Sequence, residues 1–431
     1  MKRFLQSGLS IRIQSLRPFF LRSHRWIGLF IAGFLLIAGV TGSLLAWNDE
    51  LDAAIRPDLF LAAQPMPGAA MLDPFVLRDV VQDAYPGSFA AVVPLRSQAG
   101  HALIFRVYPR PDPVTAQTAE SDVDQVFVNP YTGTILGDRK WGDLTQGSKN
   151  LMPFIYRLHF SLALGVIGSY AFGIVALLWT LDCFIGAYLT FPATRRKKKA
   201  RSVADVIKPA MREKSWLHRW WSSWRVRWHG GGYKINFDLH RAAGLWFWAM
   251  LLVLAWSSVS FNLSEVYKPV MNSLLAVQPD GHSAASTSQG KMQPVLGWHE
   301  AHRIGRELMA SQARRHEFQI LHENRLMHDP RQGVYRYDVK SDRDIRDDGG
   351  NTSITFDADT GAFRSIWLPT GAAAGDTFRM WLSSLHMAEV WGLPMKVFIC
   401  LMGLGVTMLS GTGYLIWLKK RRAQRSARQR I

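Results

Sequence analysis

Four long apolar stretches divide the 431-residue chain, and each is long enough to cross a lipid bilayer. They are residues 26–47, 161–191, 242–263 and 393–418. The first and third contain no charged residue, while the second contains Asp182 and the fourth contains Lys396. Helices buried in soluble proteins rarely run this far without a polar face. The pattern therefore predicts an α-helical membrane protein with four transmembrane helices.

Basic residues gather in three segments beside these stretches. Residues 1–25 carry six Lys and Arg, residues 192–241 carry 14, and residues 419–431 carry seven. The three segments together have a net charge of +24, whereas the whole chain has +18, which leaves −6 for the remainder. The positive-inside rule then places both termini and the middle segment in the cytoplasm. The bilayer accounts for the excess of basic charge, and no nucleic-acid partner is expected.

The predicted organisation alternates basic segments, membrane spans and two external domains. In chain order these are a basic N-terminus (1–25), span one (26–47), an external domain (48–160), span two (161–191), a basic Trp-rich linker (192–241), span three (242–263), a second external domain (264–392), span four (393–418) and a basic tail (419–431). In the linker, tryptophans recur every four residues from Trp216 to Trp228, which predicts a helix lying in the membrane interface.

Three motifs recur in the same order in the two halves of the chain, which indicates an internal duplication. They are HRxxGL at the start of a span, an N/D-x-x-T-G turn, and an LH pair about 25 residues after that turn. The first half contains them at His24-Arg25, Thr132-Gly133 and Leu158-His159. The second half contains them at His240-Arg241, Thr360-Gly361 and Leu385-His386. Gly165 and Gly186 align with Gly392 and Gly413 without a gap.

The external domains have the patterns of small mixed α/β domains. Helical periodicity is found in residues 71–84 and 294–310. Alternating runs predict strands at residues 102–108, 123–128, 334–339 and 352–356. The Thr-Gly motifs predict tight hairpin turns, and residues 109–122 and 278–293 have loop composition.

Four histidines at duplicated positions mark the ends of the spans. His24 and His240 begin spans one and three, and His159 and His386 precede spans two and four. Two imidazoles from different helices are a common way to hold haem iron without covalent attachment. The duplication pairs His24 with His240 and His159 with His386, which would give two b-type haems, one on each side. Structural hydrogen bonding and another metal are the alternatives that the residues leave open.

A straight helix from His159 to the end of span two would be too long to keep the two histidine pairs close. Gly165 with Gly168, and Gly392 with Pro394, therefore predict breaks between the histidine-bearing helices and their spans. Asp182 is expected either to move protons or to bond a neighbouring helix. A weaker metal or ferric-chelate candidate is a patch of external residues: His299, Glu300, His302, His316, His322 and His328.

Taken together, these motifs resemble the PepSY-associated transmembrane proteins over nearly the whole chain. The resemblance implies two tandem PepSY-like periplasmic domains on four transmembrane helices, in a multi-pass protein of the bacterial inner membrane. Members of this architecture are similar to ferrioxamine-type ferric-siderophore reductases, which hold two haems b and reduce the ferric siderophore in the periplasm. The resemblance implies that the haem ligands are His24, His159, His240 and His386.

The resemblance leaves the electron donor open between a cytoplasmic protein and a quinol. One branch of the family carries a fused flavodoxin- and NADPH-reductase-like module, and no segment of this sequence matches it. An alternative function is a non-redox membrane module whose PepSY domains bind or restrain a periplasmic partner or peptidase. A third possibility is an accessory factor of iron uptake without redox activity. HExxH and GxSxG motifs are lacking, which argues against hydrolase chemistry.

The charge distribution makes a testable prediction about topology. Reporter proteins fused after Ile431 and near His282 are expected to report opposite sides of the membrane, because the tail is basic and the external segments are not. Paired reporters that are active on only one side of the membrane measure this. Both fusions on the same side would contradict the predicted topology.

Overall fold

The computed structural model describes residues 16–110, 121–193, 215–279 and 294–429. The chain divides into two compact units. The helical unit comprises Met1–Ser43, His159–Ser264 and Phe398–Ile431, and the sheet unit comprises Leu44–Leu158 and Glu265–Val397. Most of the predicted loops 109–122 and 278–293, and the basic cluster at residues 195–199, lie outside the described residues.

The described α-helices are, in chain order, α1 (Arg17–Leu45), α2 (Asn48–Ile55), α3 (Pro57–Phe60), α4 (Pro74–Ala84), α5 (Leu151–Ser161), α6 (Gly165–Thr190), α7 (Trp216–Trp221), α8 (Gly232–Trp246), α9 (Trp248–Asn262), α10 (Ser264–Leu274), α11 (Trp298–His316), α12 (Ala374–His386) and α13 (Gly392–Arg428). The strands are β1 (Ser88–Pro94), β2 (Leu103–Pro109), β3 (Gln125–Val128), β4 (Ile135–Arg139), β5 (Ile320–Asp329), β6 (Val334–Ser341), β7 (Thr352–Asp357) and β8 (Phe363–Trp367).

Three helices, α1, α6 and α13, are long and apolar enough to cross a membrane. Helices α8 and α9 meet the same criterion together but are bent by 70°, so the described residues provide three spans, or four if the bent pair is one span. The predicted third span therefore differs from the structure, because its helix begins at Gly232 and is interrupted at Phe247. At the bend Phe247 leaves helical geometry (φ −98°, ψ 0°), and its ring packs against Gly405 of α13.

Large apolar side chains cover the outer faces of the long helices. Examples are Phe30, Leu36, Val40, Ile174, Leu181, Phe184, Leu401 and Leu404. A continuous apolar surface of this kind is unfavourable in water and is suited to lipid. The chain is therefore a membrane protein, and its helical unit is embedded in a bilayer.

Helices α1 and α13 approach each other at small residues. A Cβ atom on Gly39 would lie 2.5 Å from Thr407 Oγ1 and 2.6 Å from the Gly403 carbonyl oxygen. One turn after Gly39, Ser43 Oγ lies 2.9 Å from the Gly39 carbonyl and 2.9 Å from the Cys400 carbonyl. Small residues four apart on both helices are typical of membrane helices whose backbones touch.

The helices that carry His159 and His386 end before the adjacent spans begin, as the sequence predicted. Helix α5 stops two residues after His159, and the chain passes through left-handed conformations at Leu162 (φ 52°) and Gly165 (φ 61°) before α6. Helix α12 stops at His386, and Gly392 (φ 55°) begins α13. Gly readily adopts this conformation because it has no Cβ atom.

The sheet unit contains one eight-stranded antiparallel sheet with the order β4-β3-β2-β1-β5-β6-β7-β8. Each half is a four-stranded meander from one external segment. The halves meet where β1 pairs with β5, with Val92 opposite Met327 and Val93 opposite Leu326. The duplicated segments, predicted as two domains, therefore share a single sheet. Helices α4 and α11 bury Phe75, Leu77 and Met309 in its core.

Equivalent tight turns join the last two strands of each half. Asn129 and Asp357 each accept the backbone N–H two residues ahead through Oδ1, at 2.9 and 3.1 Å. Gly133 and Gly361 both have φ +74°. The prediction of tight hairpin turns at the two Thr-Gly motifs is confirmed.

The Trp-rich helix is shorter than its sequence pattern predicted. The rings of Trp216, Trp220 and Trp224 contact one another in sequence, with centroids 5.5 and 5.4 Å apart, but the helical segment ends at Trp224. Arg227 then donates to the buried carboxylate of Asp238 in α8, at 2.6 Å. This ion pair draws the chain toward α8 and leaves the predicted fourth tryptophan beyond the helix.

The close approach of α1 and α13 predicts that Gly39→Ala destabilises the helical unit by about 1–3 kcal/mol, since an added methyl meets backbone that does not yield. Gly33→Ala is the matched control on the same helix, because a Cβ atom there has no neighbour within 4 Å. The melting temperature in detergent is measured for both. Equal melting of the two variants would contradict the packing described.

Candidate functional site

Two histidines of the duplicated HRxxGL motifs face one another in a cavity of the helical unit. His24 lies on α1 and His240 on α8, and their ring centroids are 6.2 Å apart with 57° between the ring planes. The cavity has a volume of about 530 Å³ and is lined mainly by apolar side chains of α1, α6, α8, α9 and α13. This volume is in the range of cavities that hold small ligands and cofactors.

Both imidazoles use Nδ1 for a hydrogen bond to a neighbouring helix. His24 Nδ1 lies 2.9 Å from Asp182 Oδ1 on α6. His240 Nδ1 lies 3.1 Å from the Leu409 carbonyl oxygen and 3.0 Å from Thr412 Oγ1, both on α13. Each ring is thus hydrogen-bonded to the second span of its own repeat, which is α6 for His24 and α13 for His240.

These acceptors determine which nitrogen carries the proton. The Asp182 carboxylate and the Leu409 carbonyl only accept hydrogen bonds. The Thr412 hydroxyl lies 2.8 Å from the Met408 carbonyl, to which it donates. Nδ1 of both rings is therefore assigned the proton, and Nε2 is left with a lone pair. A pair of imidazoles in this state is suited to bind a metal through Nε2.

Glycines of the following spans lie directly under the two rings. A Cβ atom on Gly186 would lie 3.5 Å from His24 Cε1, and one on Gly413 would lie 3.2 Å from His240 Cε1. These are the two glycines that align in the duplication. A larger residue at Gly413 would displace the ring, so this position holds the imidazole against the helix backbone.

Four cations also line the cavity: Arg17, Arg25, Arg241 and Lys420. Arg17 donates to the Leu189 and Phe191 carbonyls at the end of α6, at 2.7 and 3.0 Å. Arg241 is paired with Asp238 at 3.0 Å. Positive charge on the lining of a mainly apolar cavity favours a ligand that is apolar and carries anionic groups.

His159 has the same kind of environment. Its Nδ1 lies 2.9 Å from Thr41 Oγ1 on α1, and that hydroxyl lies 2.7 Å from the Ile37 carbonyl, to which it donates. A Cβ atom on Gly42 would lie 3.0 Å from His159 Cε1. Nδ1 of His159 is therefore assigned the proton as well. His386 is the last residue of α12 and belongs to the sheet unit, so its pairing with His159 stays a prediction.

The external histidines are engaged in separate contacts. His302 Nε2 lies 3.1 Å from Glu323 Oε1, which also accepts the Tyr337 hydroxyl at 2.7 Å. The hydrogen bond from His302 lowers the pKa of Glu323, and burial raises the pKa of Tyr337. His299 lies 3.6 Å from Asp73. Among the described residues, no three His, Cys, Asp or Glu side chains form a group able to hold a metal ion.

His328 is instead a buried core residue of β5. It is 4% exposed and packs against Trp298 and Tyr335, with ring centroids 6.5 and 5.1 Å away. Its Nε2 has no hydrogen-bond partner among the described residues. Burial lowers the pKa of His328 to about 4.

Sequence reasoning identified one of the side chains that hold the imidazoles, Asp182, and missed the other two. Asp182 is hydrogen-bonded to His24. Thr41 and Thr412 lie in apolar spans, and the sequence did not indicate that they bond histidines. A signal was present, because Thr41 directly precedes Gly42 and Thr412 directly precedes Gly413. Each pair presents a hydroxyl and an open backbone surface to one ring.

Comparison with known families gives one result. The profile of the PepSY-associated TM region matches residues 21–420. The match covers both histidines of the cavity, His159 and His386, and both external segments. The sequence has no match among proteins of curated function.

The burial of His328 predicts a pH-dependent stability. Its pKa is about 4 in the folded chain and about 6.5 when unfolded. The unfolded chain therefore binds more protons between these values, and stability present above pH 6.5 is lost as the pH falls toward 4. Between pH 7 and pH 4 the free energy of unfolding of His328→Phe is therefore expected to fall by about 2–3 kcal/mol less than that of the wild type.

Denaturant unfolding of the detergent-solubilised protein, followed by tryptophan fluorescence at pH 7 and pH 4, measures the difference. His316→Phe is the control, since His316 lies at the end of α11 and its ring is not part of the buried core. The same pH dependence in wild type and His328→Phe would contradict the assignment.

Proposed function

The chain belongs to the PepSY-associated transmembrane family, and on this premise we propose that it is a haem-dependent ferric-siderophore reductase of the bacterial inner membrane. In this proposal His24 and His240 hold a haem b in the cavity of the helical unit. The sheet unit lies in the periplasm. An electron donor on the cytoplasmic side or a quinol supplies the electrons.

The spacing of the two imidazoles is the observation that carries the proposal. Metal–imidazole bonds of about 2.0 Å on either side of one ion put the ring centroids about 6 Å apart. His24 and His240 have centroids 6.2 Å apart. Nδ1 of each ring is already bonded to a neighbouring helix, which leaves Nε2 for a metal. This is the arrangement usual for metal-binding histidines.

The rest of the cavity also suits a haem. Its walls are apolar, as the porphyrin requires, and its volume of about 530 Å³ is that of a cofactor pocket. Arg25 and Lys420 line it without a described ion pair and are suited to the two carboxylates of a haem. Neither cysteine lies in a CxxCH motif, so the haem would be held without covalent attachment.

When bound, a haem with two imidazole ligands supplies reversible one-electron chemistry and has no open position for substrate. Asp182, Leu409 and Thr412 hold the imidazoles in one tautomer, and the apolar lining excludes water. Overall, one electron from the donor reduces each Fe(III)–siderophore to the Fe(II) chelate, which releases its iron. The siderophore is substrate and is expected to bind on the periplasmic side.

The duplication extends the proposal to a second haem b. His159 is held by Thr41 through Nδ1 as His24 is held by Asp182. His386 is the counterpart of His159 in the repeat. We propose these two histidines as the ligand pair of the second haem, which would deliver electrons to the periplasmic substrate.

The proposal predicts two haems per chain in purified protein, measured as pyridine haemochromogen after expression with adequate haem supply. His24→Ala and His240→Ala are each expected to lose one haem, and to slow reoxidation of the dithionite-reduced protein by a ferric siderophore. His218→Ala is the control, since His218 is an exposed histidine of the helical unit outside the cavity.

Wild-type protein without haem would contradict the reductase and favour a non-redox module that binds a periplasmic partner. Unchanged haem content in both His24→Ala and His240→Ala, with haem in the wild type, would contradict the assignment of the ligands.

A further inference from the structure

The two imidazoles of the cavity differ in the charge of the group behind them. His24 Nδ1 is bonded to the carboxylate of Asp182, whereas His240 Nδ1 is bonded to a carbonyl and a hydroxyl, which are neutral. The duplication aligns Asp182 with Leu409, because both lie four residues before the glycine under the ring. The carboxylate is therefore a feature of one repeat only.

Asp182 lies in an environment that is unfavourable for a carboxylate. It is 7% exposed and lies within the transmembrane helix α6. His24 is the one side chain of the described residues to which it is hydrogen-bonded. Ionisable residues in membrane helices are costly and usually functional, and this one is directed at a single imidazole.

A carboxylate behind a ligating imidazole increases the electron donation of that imidazole to the metal. Stronger donation stabilises the ferric state relative to the ferrous state, which lowers the reduction potential. His159 is held by the neutral Thr41 hydroxyl. Among the three proposed ligands whose Nδ1 partner is described, His24 is therefore the one with a carboxylate behind it.

Resting on the proposed function, we infer that Asp182 is a positioning residue that fixes His24 in the Nδ1–H tautomer and lowers the reduction potential of the haem held by His24 and His240. A potential lower than that of the second haem would direct electrons outward. Electrons that enter on the cytoplasmic side at the lower potential move to the higher potential on the periplasmic side. Asp182, which aligns with Leu409 in the other repeat, thereby acts in electron transfer.

The test measures the midpoint potential in a His159→Ala background, so that only the cavity haem is present. Asp182→Asn keeps the size of the side chain and an oxygen acceptor for Nδ1 but removes the charge. Thr412→Val is the matched control, because it removes a neutral acceptor of His240 while the Leu409 carbonyl remains. Redox titration with absorbance detection is applied to each, and haem content is measured by pyridine haemochromogen.

Asp182→Asn is expected to retain haem and to titrate at a more positive potential than its parent, and Thr412→Val is expected to shift the potential much less. If Asp182→Asn loses the haem, Asp182→Glu is expected to restore both haem and a low potential, because it restores the carboxylate. A purely structural role for Asp182 would change haem content without changing the potential.

Haem retained in Asp182→Asn at the potential of its parent would overturn the inference and leave the proposed function intact. Loss of haem in both Asp182→Asn and Asp182→Glu would overturn it too, since the residue would then act through packing. A His159→Ala parent that holds no haem would overturn the haem site itself, and the inference with it.

Discussion

An imidazole inside a lipid-embedded helix bundle needs an acceptor for its N–H, and this requirement organises the helical unit. His24, His240 and His159 each bond through Nδ1 to a group on a different helix: Asp182 on α6, Thr412 and the Leu409 carbonyl on α13, and Thr41 on α1. These bonds need helices in close contact. Glycines at Gly186, Gly413 and Gly42 provide that contact by leaving room for each ring on the helix backbone.

The internal duplication accounts for the architecture of both units, and comparing the two repeats shows where they differ. In the sheet unit the two halves pair at β1 and β5 and keep equivalent turns at Asn129 and Asp357. In the helical unit the equivalent rings lie over equivalent glycines. The repeats differ in the groups behind the rings. Asp182 is a leucine in the second repeat, and Thr412 is an isoleucine in the first. Each imidazole therefore has its own hydrogen-bond partner, while the glycine under the ring is kept.

Features set by local or repeated patterns were predictable from the sequence. Apolar length predicted α1, α6 and α13 as spans but not the bend between α8 and α9. The repeat identified the four histidines, and Gly165 and Gly392 predicted the helix breaks. Strands β2, β3, β6 and β7 followed from their alternation. Strand β5 was not predicted because its residues are largely polar. Strand β1 was not predicted because its alanines weaken the alternation of apolar and polar residues. The continuity of the sheet depends on pairing between segments more than 230 residues apart, which no local pattern contains.

The two threonines that hold imidazoles were not predictable for a related reason. A threonine in an apolar span commonly bonds its own helix backbone, and Thr41 and Thr412 do so. Their second role depends on a ring supplied by another helix. At the bend the ring of Phe247 likewise packs against Gly405 of α13, a contact that no local pattern in α8 or α9 contains.

The central claim is that one iron lies between His24 and His240. Anomalous diffraction at the iron absorption edge, from crystals of haem-supplied protein, tests it most directly. The account predicts an iron peak between the Nε2 atoms of the two imidazoles, within planar density that fills the cavity. Crystals of red protein with iron elsewhere and lipid or quinone density in this cavity would contradict it.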